Sequence, residues 1–461
     1  MKITGIEIGE YRQFKNIKFD FTYPKDHPKA GQPLEKVCFI GQSGTGKTTL
    51  LNIIGDFFQV VNDGFQILSN NFSVLSVTHY EAFKNDISIR ILVQDEHIEF
   101  SKKDIIEPSE PYINDTKIIA GSSFNWVKRY DFHENVKHCN KFCIFIKDSI
   151  AREADAFLFD QKDQPQTFSD FVKTDTQIEK EKVTREERIQ EAGLKKVVSL
   201  GDLQSLSIWQ YLLKDIDNYD EASRTLVMNL MQGAQSATAS KVVEELQKWI
   251  VDTPNARIEL AERCLNPILN NFFLEVDTNA GNVPIALRTK QGTKIDSSYL
   301  STGTRQLLAT AIPLYKFDTT DTVILFDEPE RSLFPDIQRI LVDYYISLAP
   351  KAQFFFATHS PIIASAFEPC ERFILHFDEN GEVKCHTGIA PEGDDPNDIL
   401  RQDFDMAELM LQKGLEAYDE YRRLAMAIRA ETDEEKKDQL IIERLELGNR
   451  YNFAGQYAQS K

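Results

Sequence analysis

The sequence predicts an α/β fold: a mixed sheet with an antiparallel layer, interrupted by a helical insertion and followed by a helical C-terminal tail. Three observations carry this. The apolar run Val37-Cys38-Phe39-Ile40 leads into Gly41-Gln42-Ser43-Gly44-Thr45-Gly46-Lys47-Thr48 and on to Thr49-Leu50-Leu51-Asn52-Ile53-Ile54, a short buried strand, a glycine loop and a helix. Stretches 3–8, 17–21 and 87–100 alternate apolar and polar residues, as half-buried antiparallel strands do. Between about 150 and 270, charge and helical spacing replace β-branched runs.

The glycine loop is a phosphate cradle. Successive backbone N–H groups must turn inward around an anion, and a Cβ at those positions blocks the approach. The helix N-terminus adds partial positive charge, Lys47 reaches β- and γ-phosphates, and the Thr48 hydroxyl can ligate Mg²⁺.

The remaining elements follow in chain order. Strands at 3–8 and 17–21 flank the charged turn Tyr11-Arg12-Gln13-Phe14-Lys15-Asn16, and a Pro/Lys/Gly-rich loop leads to the strand before the cradle. Val74 to Thr78, Ile87 to Val93 and His97 to Phe100 read as strands, with Gln94-Asp95-Glu96 as a hairpin turn, 101–118 as a surface loop and 139–147 as another strand. The charge run 174–188 reads as a solvated helix face, with a partner surface as the alternative. Helical spacing continues through 203–213, 221–232 and 240–251 without a sustained heptad, so short packed helices are expected rather than an arm. Strands return at 272–276, 283–288 and 293–295 and again as a hairpin at 373–385, before the helices of 398–450.

At 461 residues and 52.9 kDa the chain exceeds the usual limit of one core, so one large domain carrying an insertion is expected. A net charge of −19 argues against a surface built for bulk nucleic-acid binding, though a local basic groove is compatible with it. Six cysteines without a paired framework suit a reducing compartment. His133, His138, Cys139 and Cys143 cluster, but the spacing is loose and Cys143 falls in an apolar strand; packed thiols are favoured over a zinc site. No apolar run approaches the roughly 18 residues of a membrane span, and no signal-peptide pattern opens the chain, so a cytoplasmic protein is expected.

Three further elements bear on chemistry. Val323-Ile324-Leu325-Phe326-Asp327-Glu328-Pro329 is an apolar strand ending in two carboxylates: Asp327 is placed to hold Mg²⁺ or its water, and Glu328 to polarise the attacking water. Leu300-Ser301-Thr302-Gly303-Thr304-Arg305-Gln306 is a small-residue turn opening an apolar helix, a second anion site. Phe354-Phe355-Phe356-Ala357-Thr358-His359-Ser360-Pro361 places His359 at the end of another buried strand; beside the other elements it reads as a γ-phosphate contact rather than a core histidine.

Gly41–Thr48, Leu300–Gln306, Asp327-Glu328 and His359, in that order, resemble the ABC-type ATPase heads of the SMC, RecF and overcoming-lysogenization-defect proteins. The turn at Tyr11–Asn16 is similar to that group's F-R-x-F turn, whose arginine lies near the nucleotide, here Arg12. The resemblance covers about 1–100 and 270–375. It implies a P-loop NTPase of ABC-ATPase head type, with an N-lobe over 1–150, a helical insertion over 151–270, a C-lobe over 271–390 and a helical region over 391–461. ATP and Mg²⁺ are the implied cofactors, held by Gly41 through Thr49. The resemblance further implies a dimer around ATP, with Ser301 and Gly303 contacting the γ-phosphate held by Lys47 of the opposing subunit. Asp336 or the Arg331-Ser332-Leu333 loop would lie at the seam. Two features depart from the pattern: the signature reads Ser-Thr-Gly-Thr-Arg-Gln instead of Ser-Gly-Gly-Gln, and Gln94 is a weak candidate for the glutamine lid.

The interval from Gly46 to Ser301 is too short for a long SMC arm. Asp394, Asp395 and Asp398 lie in a polar loop unlike a nuclease metal site, so no intrinsic nuclease is expected. The chain is most similar to the ATPase subunit of antiphage systems of the Septu or PARIS kind, whose partner is a separately encoded HNH or TOPRIM nuclease. That resemblance implies an ATPase whose ATP-dependent assembly holds the nuclease inactive until a phage trigger or loss of nucleotide releases it, with fast and slow turnover both left open. The alternative is a RecF-like clamp on duplex DNA, with a basic stripe near Lys102, Lys103, Lys128 and Arg129.

Overall fold

The computed structural model describes residues 1–68, 82, 85–100, 135–136, 138–152, 158, 175–201, 206–233, 239–279, 283–406 and 408–453. The expected strand at 74–78, the loop at 101–118, His133 and the basic residues 102, 103, 128 and 129 lie outside them. Contacts divide the chain into two compact units, Met1–Asp394 and Asp395–Lys461.

In the first unit, seven strands form the main sheet in the order β14-β13-β3-β12-β11-β6-β7. These are β3 (Lys36–Gly41), β6 (Cys143–Ile146), β7 (Val197–Leu200), β11 (Val323–Asp327), β12 (Gln353–Ala357), β13 (Arg372–Phe377) and β14 (Val383–Thr387). All neighbours run parallel except β13 and β14, which form the expected hairpin. Between their end residues the central strands β3, β11 and β12 are apolar because both faces are covered. A second, antiparallel sheet has the order β2-β1-β4-β5, from β1 (Lys2–Tyr11), β2 (Phe14–Asp20), β4 (Ile87–Val93) and β5 (Glu96–Phe100). This is the predicted mixed sheet with its antiparallel layer. A small three-stranded sheet joins β8 (Leu274–Val276), β9 (Leu287–Thr289) and β10 (Lys294–Ile295).

Aromatic residues lock the two large sheets together, one face per parity. Phe21, just after β2, meets Phe355 and Phe373 edge-on at 5.2 Å each, and Phe19 meets Phe39 at 6.0 Å. On the opposite face, Phe326 stacks on Phe356 at 4.8 Å and on Tyr345 at 4.9 Å. One buried polar side chain also bridges the layers. Gln353 accepts from the Ile3 N–H at 2.7 Å and donates to the carbonyls of Ile3 at 2.9 Å and Leu34 at 2.8 Å. It satisfies backbone groups that would otherwise be stranded between the sheets.

Helix α1 (Lys47–Leu68) follows the glycine loop; α2 (Asp175–Leu194), α3 (Leu206–Gly233) and α4 (Ala239–Asp252) occupy the insertion. Two expectations are corrected here. The insertion is not purely helical, because Val197–Leu200 pairs with β6 and extends the main sheet. Its four residues are too short a run to register against the surrounding helical pattern. Nor are the helices all short: α3 runs 28 residues. Its first turns bury Ile208, Trp209, Leu212, Leu213 and Ile216, at helical spacing, whereas Val227, Met228 and Met231 farther along are exposed. Tyr219 packs on Trp249 of α4 at 5.3 Å. Arg257 clamps α3 by donating to both oxygens of Asp220, at 3.2 and 3.0 Å, a buried bidentate pair.

The C-lobe adds α5 (Thr302–Lys316) and α6 (Pro335–Leu348). The second unit contains the antiparallel-capable pair α7 (Gln412–Ala430) and α8 (Glu434–Tyr451), joined by a three-residue link. Asp433 caps α8 by accepting from the Glu435 N–H at 3.1 Å, and Tyr418, Tyr421 and Tyr451 surround Phe453. No described helix is long and apolar enough to cross a membrane.

Candidate functional site

The site forms at the C-terminal ends of β3, β11 and β12, where the parallel strands deliver their next residues to one cleft. Gln13, Ser43, Gly44, Gly46, Lys47, Thr48, Thr49, Asp327, Glu328, Ala357 and His359 line it. The loop leaving β3 needs its glycines. Gly41 has φ +137°, and a Cβ there would stand 2.0 Å from the Leu375 carbonyl oxygen. At Gly46, φ is +100° and a Cβ would meet the Gln13 amide at 2.2 Å. Gly41, Gln42 and Thr45 lie outside the lining and shape the loop: the Thr45 hydroxyl donates to the Gln42 carbonyl at 2.8 Å.

Lys47 is buried, and its Nζ donates to the carbonyls of Gly41 at 2.9 Å and Gln42 at 3.1 Å. Burial lowers its pKa to about 8, while Glu328 and Asp327 pull the other way. Opposite it, the Thr48 hydroxyl donates to Asp327 Oδ1 at 3.0 Å. Burial raises the Asp327 carboxyl to about 6, against the hydrogen bond from Thr48. A hydroxyl and a carboxylate at this separation are the hard oxygen donors a Mg²⁺ ion takes, and the glycine cradle is open to a phosphate chain, so both groups fit.

Glu328 stands in the left-handed region at φ +48°, its N–H bonded to the Ala357 carbonyl at 2.9 Å. This turns its carboxylate into the cleft, with Oε1 3.8 Å from His359 Nε2. Burial and the Lys47 charge lower the His359 pKa, which favours a neutral imidazole. The structure therefore gathers Lys47, Thr48, Asp327, Glu328 and His359 within one cleft.

Other predicted residues stand elsewhere. Arg12 is exposed and lies over the Tyr11 ring at 5.2 Å, while its neighbour Gln13 enters the cleft and donates to the Thr49 hydroxyl at 3.5 Å. Gln94 occupies the β4–β5 turn and donates to the Asn135 carbonyl at 3.1 Å, away from the lining. Ser301 caps α5, accepting from the Thr304 N–H at 3.1 Å, and neither it nor Gly303 lines the cleft of its own chain. Ser301, Arg331, Ser332 and Asp336 are exposed.

Glu330 was not singled out by the sequence, although it lies two residues beyond Glu328. It is half-buried against the next strand end, accepts from the Thr358 hydroxyl and takes the His359 N–H at 3.2 Å. It ties the carboxylate-bearing turn to the histidine-bearing one. Gln13 was also missed; its proximity to Gly46 depends on the β1–β2 turn reaching over the loop, which the sequence pattern does not reveal.

A P-loop on a parallel sheet, with a hydroxyl–carboxylate pair and a second carboxylate beside it, defines a nucleotide-dependent ATPase. The chain belongs to the AAA ATPase domain family, whose profile matches residues 1–364. No curated protein is significantly similar in sequence. Among solved structures, the chain is similar to an Smc head domain from Pyrococcus furiosus, with an extended coiled coil and bound to the C-terminal domain of ScpA. That match has 12% identity, a TM-score of 0.37, and covers 84% of this chain and 96% of the other. The SMC head domain from Thermotoga maritima gives 11% identity and a TM-score of 0.37, over 85% and 100% of the respective chains.

Proposed function

We propose that this protein is an ATP-gated homodimer whose closed state holds a separately encoded effector, and that the effector is a nuclease of an antiphage system. Its cofactors are ATP and Mg²⁺, with Lys47 on the phosphates, Thr48 and Asp327 on the metal, Glu328 on the attacking water and His359 near the γ-phosphate. Bound Mg²⁺ supplies charge neutralisation on the β- and γ-oxygens. Glu328 orients the water and takes its proton, while the neutral His359 donates to a phosphate oxygen.

One observation carries the dimer. Ser301 stands exposed at the start of α5 with the buried Gly303 two residues on, and neither lines the cleft of its own chain, so an anion site and a phosphate cradle remain unpaired within one chain. A second copy that pairs them completes two sites at once, as two-fold symmetry requires. The nuclease partner is supported by the sequence resemblance to the ATPase subunits of such systems.

The test has two stages. Glu328→Gln protein, measured by light scattering, should double in mass with ATP and remain monomeric without it; a monomer under saturating ATP removes the gating reading. The same variant, tagged and recovered from its native cells with neighbouring genes intact, should bring down a small nuclease in stoichiometric amount. Recovery of chromosomal DNA without a nuclease would instead favour a DNA clamp.

A further inference from the structure

At the end of the main sheet away from the cleft, three metal-ligating side chains converge. His138 and Cys139 precede β6, and Asp321 precedes the neighbouring parallel strand β11 in a turn with φ +57°. His138 Nε2 lies 3.2 Å from Asp321 Oδ2 and 3.5 Å from Cys139 Sγ. One donor atom from each residue lies within 4.8 Å of the other two. The other Asp321 oxygen is 3.2 Å from the Met1 amine.

We infer that His138, Cys139 and Asp321 bind one divalent cation of the zinc class. A single imidazole nitrogen offers one proton or one lone pair, so it can serve only one of the two neighbours that crowd it. An ion between the three donors serves all of them. Zinc bonds of ~2.0–2.1 Å to nitrogen and oxygen and ~2.3 Å to sulfur set tetrahedral N···S and N···O separations of about 3.5 and 3.3 Å. The distances here are 3.5 and 3.2 Å. Sulfur selects zinc-like ions over Mg²⁺ and Ca²⁺, and one thiolate with one carboxylate neutralises a dication. Cys139 is buried whereas His138 is 46% exposed, leaving an open side for a water as fourth ligand. The sequence alone favoured packed thiols because the third donor comes from a turn far along the chain. Bound metal would staple the segments that lead into β6 and β11.

The experiment is titration of Co²⁺ into full-length, chelator-treated protein without nucleotide, followed by absorbance. Cobalt at this site gives a thiolate-to-metal charge-transfer band saturating at one ion per chain; the ATPase cleft, lined without sulfur, gives none. Cys139→Ser should abolish the band, and the half-exposed His138→Gln should weaken binding at least about tenfold, the scale of losing a metal contact. Circular dichroism verifies that each variant is folded. A folded parent protein with no band, or a band that survives Cys139→Ser or is unchanged in His138→Gln, overturns the assignment.

Discussion

Thr48 and Asp327, 279 residues apart in sequence, share a hydrogen bond of 3.0 Å in the lining of the cleft. The bond joins the first turn of α1 to the end of β11, and so brings the two halves of the cation site together before any ion binds. Burial raises the Asp327 carboxyl to about 6, from an ordinary value of 3.8. With the folded value raised, its burden on stability is absent below about 3.8 and complete above about 6. Asp327→Asn should therefore melt no lower than the parent at pH 7.5 without Mg²⁺, yet lose at least about a hundredfold in Mg²⁺-dependent phosphate release. Undiminished turnover would remove Asp327 from the metal site.

Lys47 predicts the opposite pH course. Its folded pKa is lowered to about 8 from 10.5, so the charged form is penalised fully below about 8 and not at all above 10.5. Lys47→Met should raise the melting temperature of nucleotide-free protein by roughly 1–4 °C at pH 7, with the gain shrinking by pH 9.5. The same variant should lose detectable ATP binding by calorimetry. A gain independent of pH would mean that packing, not charge, sets the effect.

Gln353 is the structural counterpart of these functional groups. Its three bonds to Ile3 and Leu34 lie between the main and antiparallel sheets. Gln353→Leu keeps the volume but strands buried backbone groups, each at a cost of about 1–3 kcal/mol. Chemical denaturation should show a loss on the order of 3 kcal/mol. A loss under ~0.5 kcal/mol would show that water replaces the amide.

What was legible in the sequence follows from range. The strand–loop–helix at Val37–Ile54 is local, its glycines and lysine are contiguous, and the structure forms it where expected. The apolar strand ending in Asp327-Glu328 was equally plain, because full burial forbids polar residues until the strand leaves the sheet. Elements defined by partners were not. Val197–Leu200 becomes a strand only because β6 offers an edge, and Gln353 reads as an ordinary polar residue until two backbones converge on it. Glu330 and Gln13 belong to the site through turns whose direction depends on positive φ at Glu328 and Arg12, which no periodicity encodes.

Gly303 offers the sharpest separation of fold from assembly. A Cβ at this position would stand 2.4 Å from the Ser332 carbonyl oxygen and 3.1 Å from Leu333 Cδ2, and Ser332 itself is held at φ +63°. The start of α5 is thus pressed against the turn that follows Glu328, with no room between them. Gly303→Ala must push the Arg331–Leu333 turn aside, at a cost of about 1–3 kcal/mol by denaturation. Because Gly303 does not line its own cleft, ATP affinity of the single chain should stay within about twofold of the parent. Combined with Glu328→Gln, the substitution should abolish the ATP-dependent doubling in mass expected by light scattering. If ATP binding by the monomer fell together with dimerisation, Gly303 would act within its own subunit, and the pairing of its anion site with a second chain would be lost as an explanation.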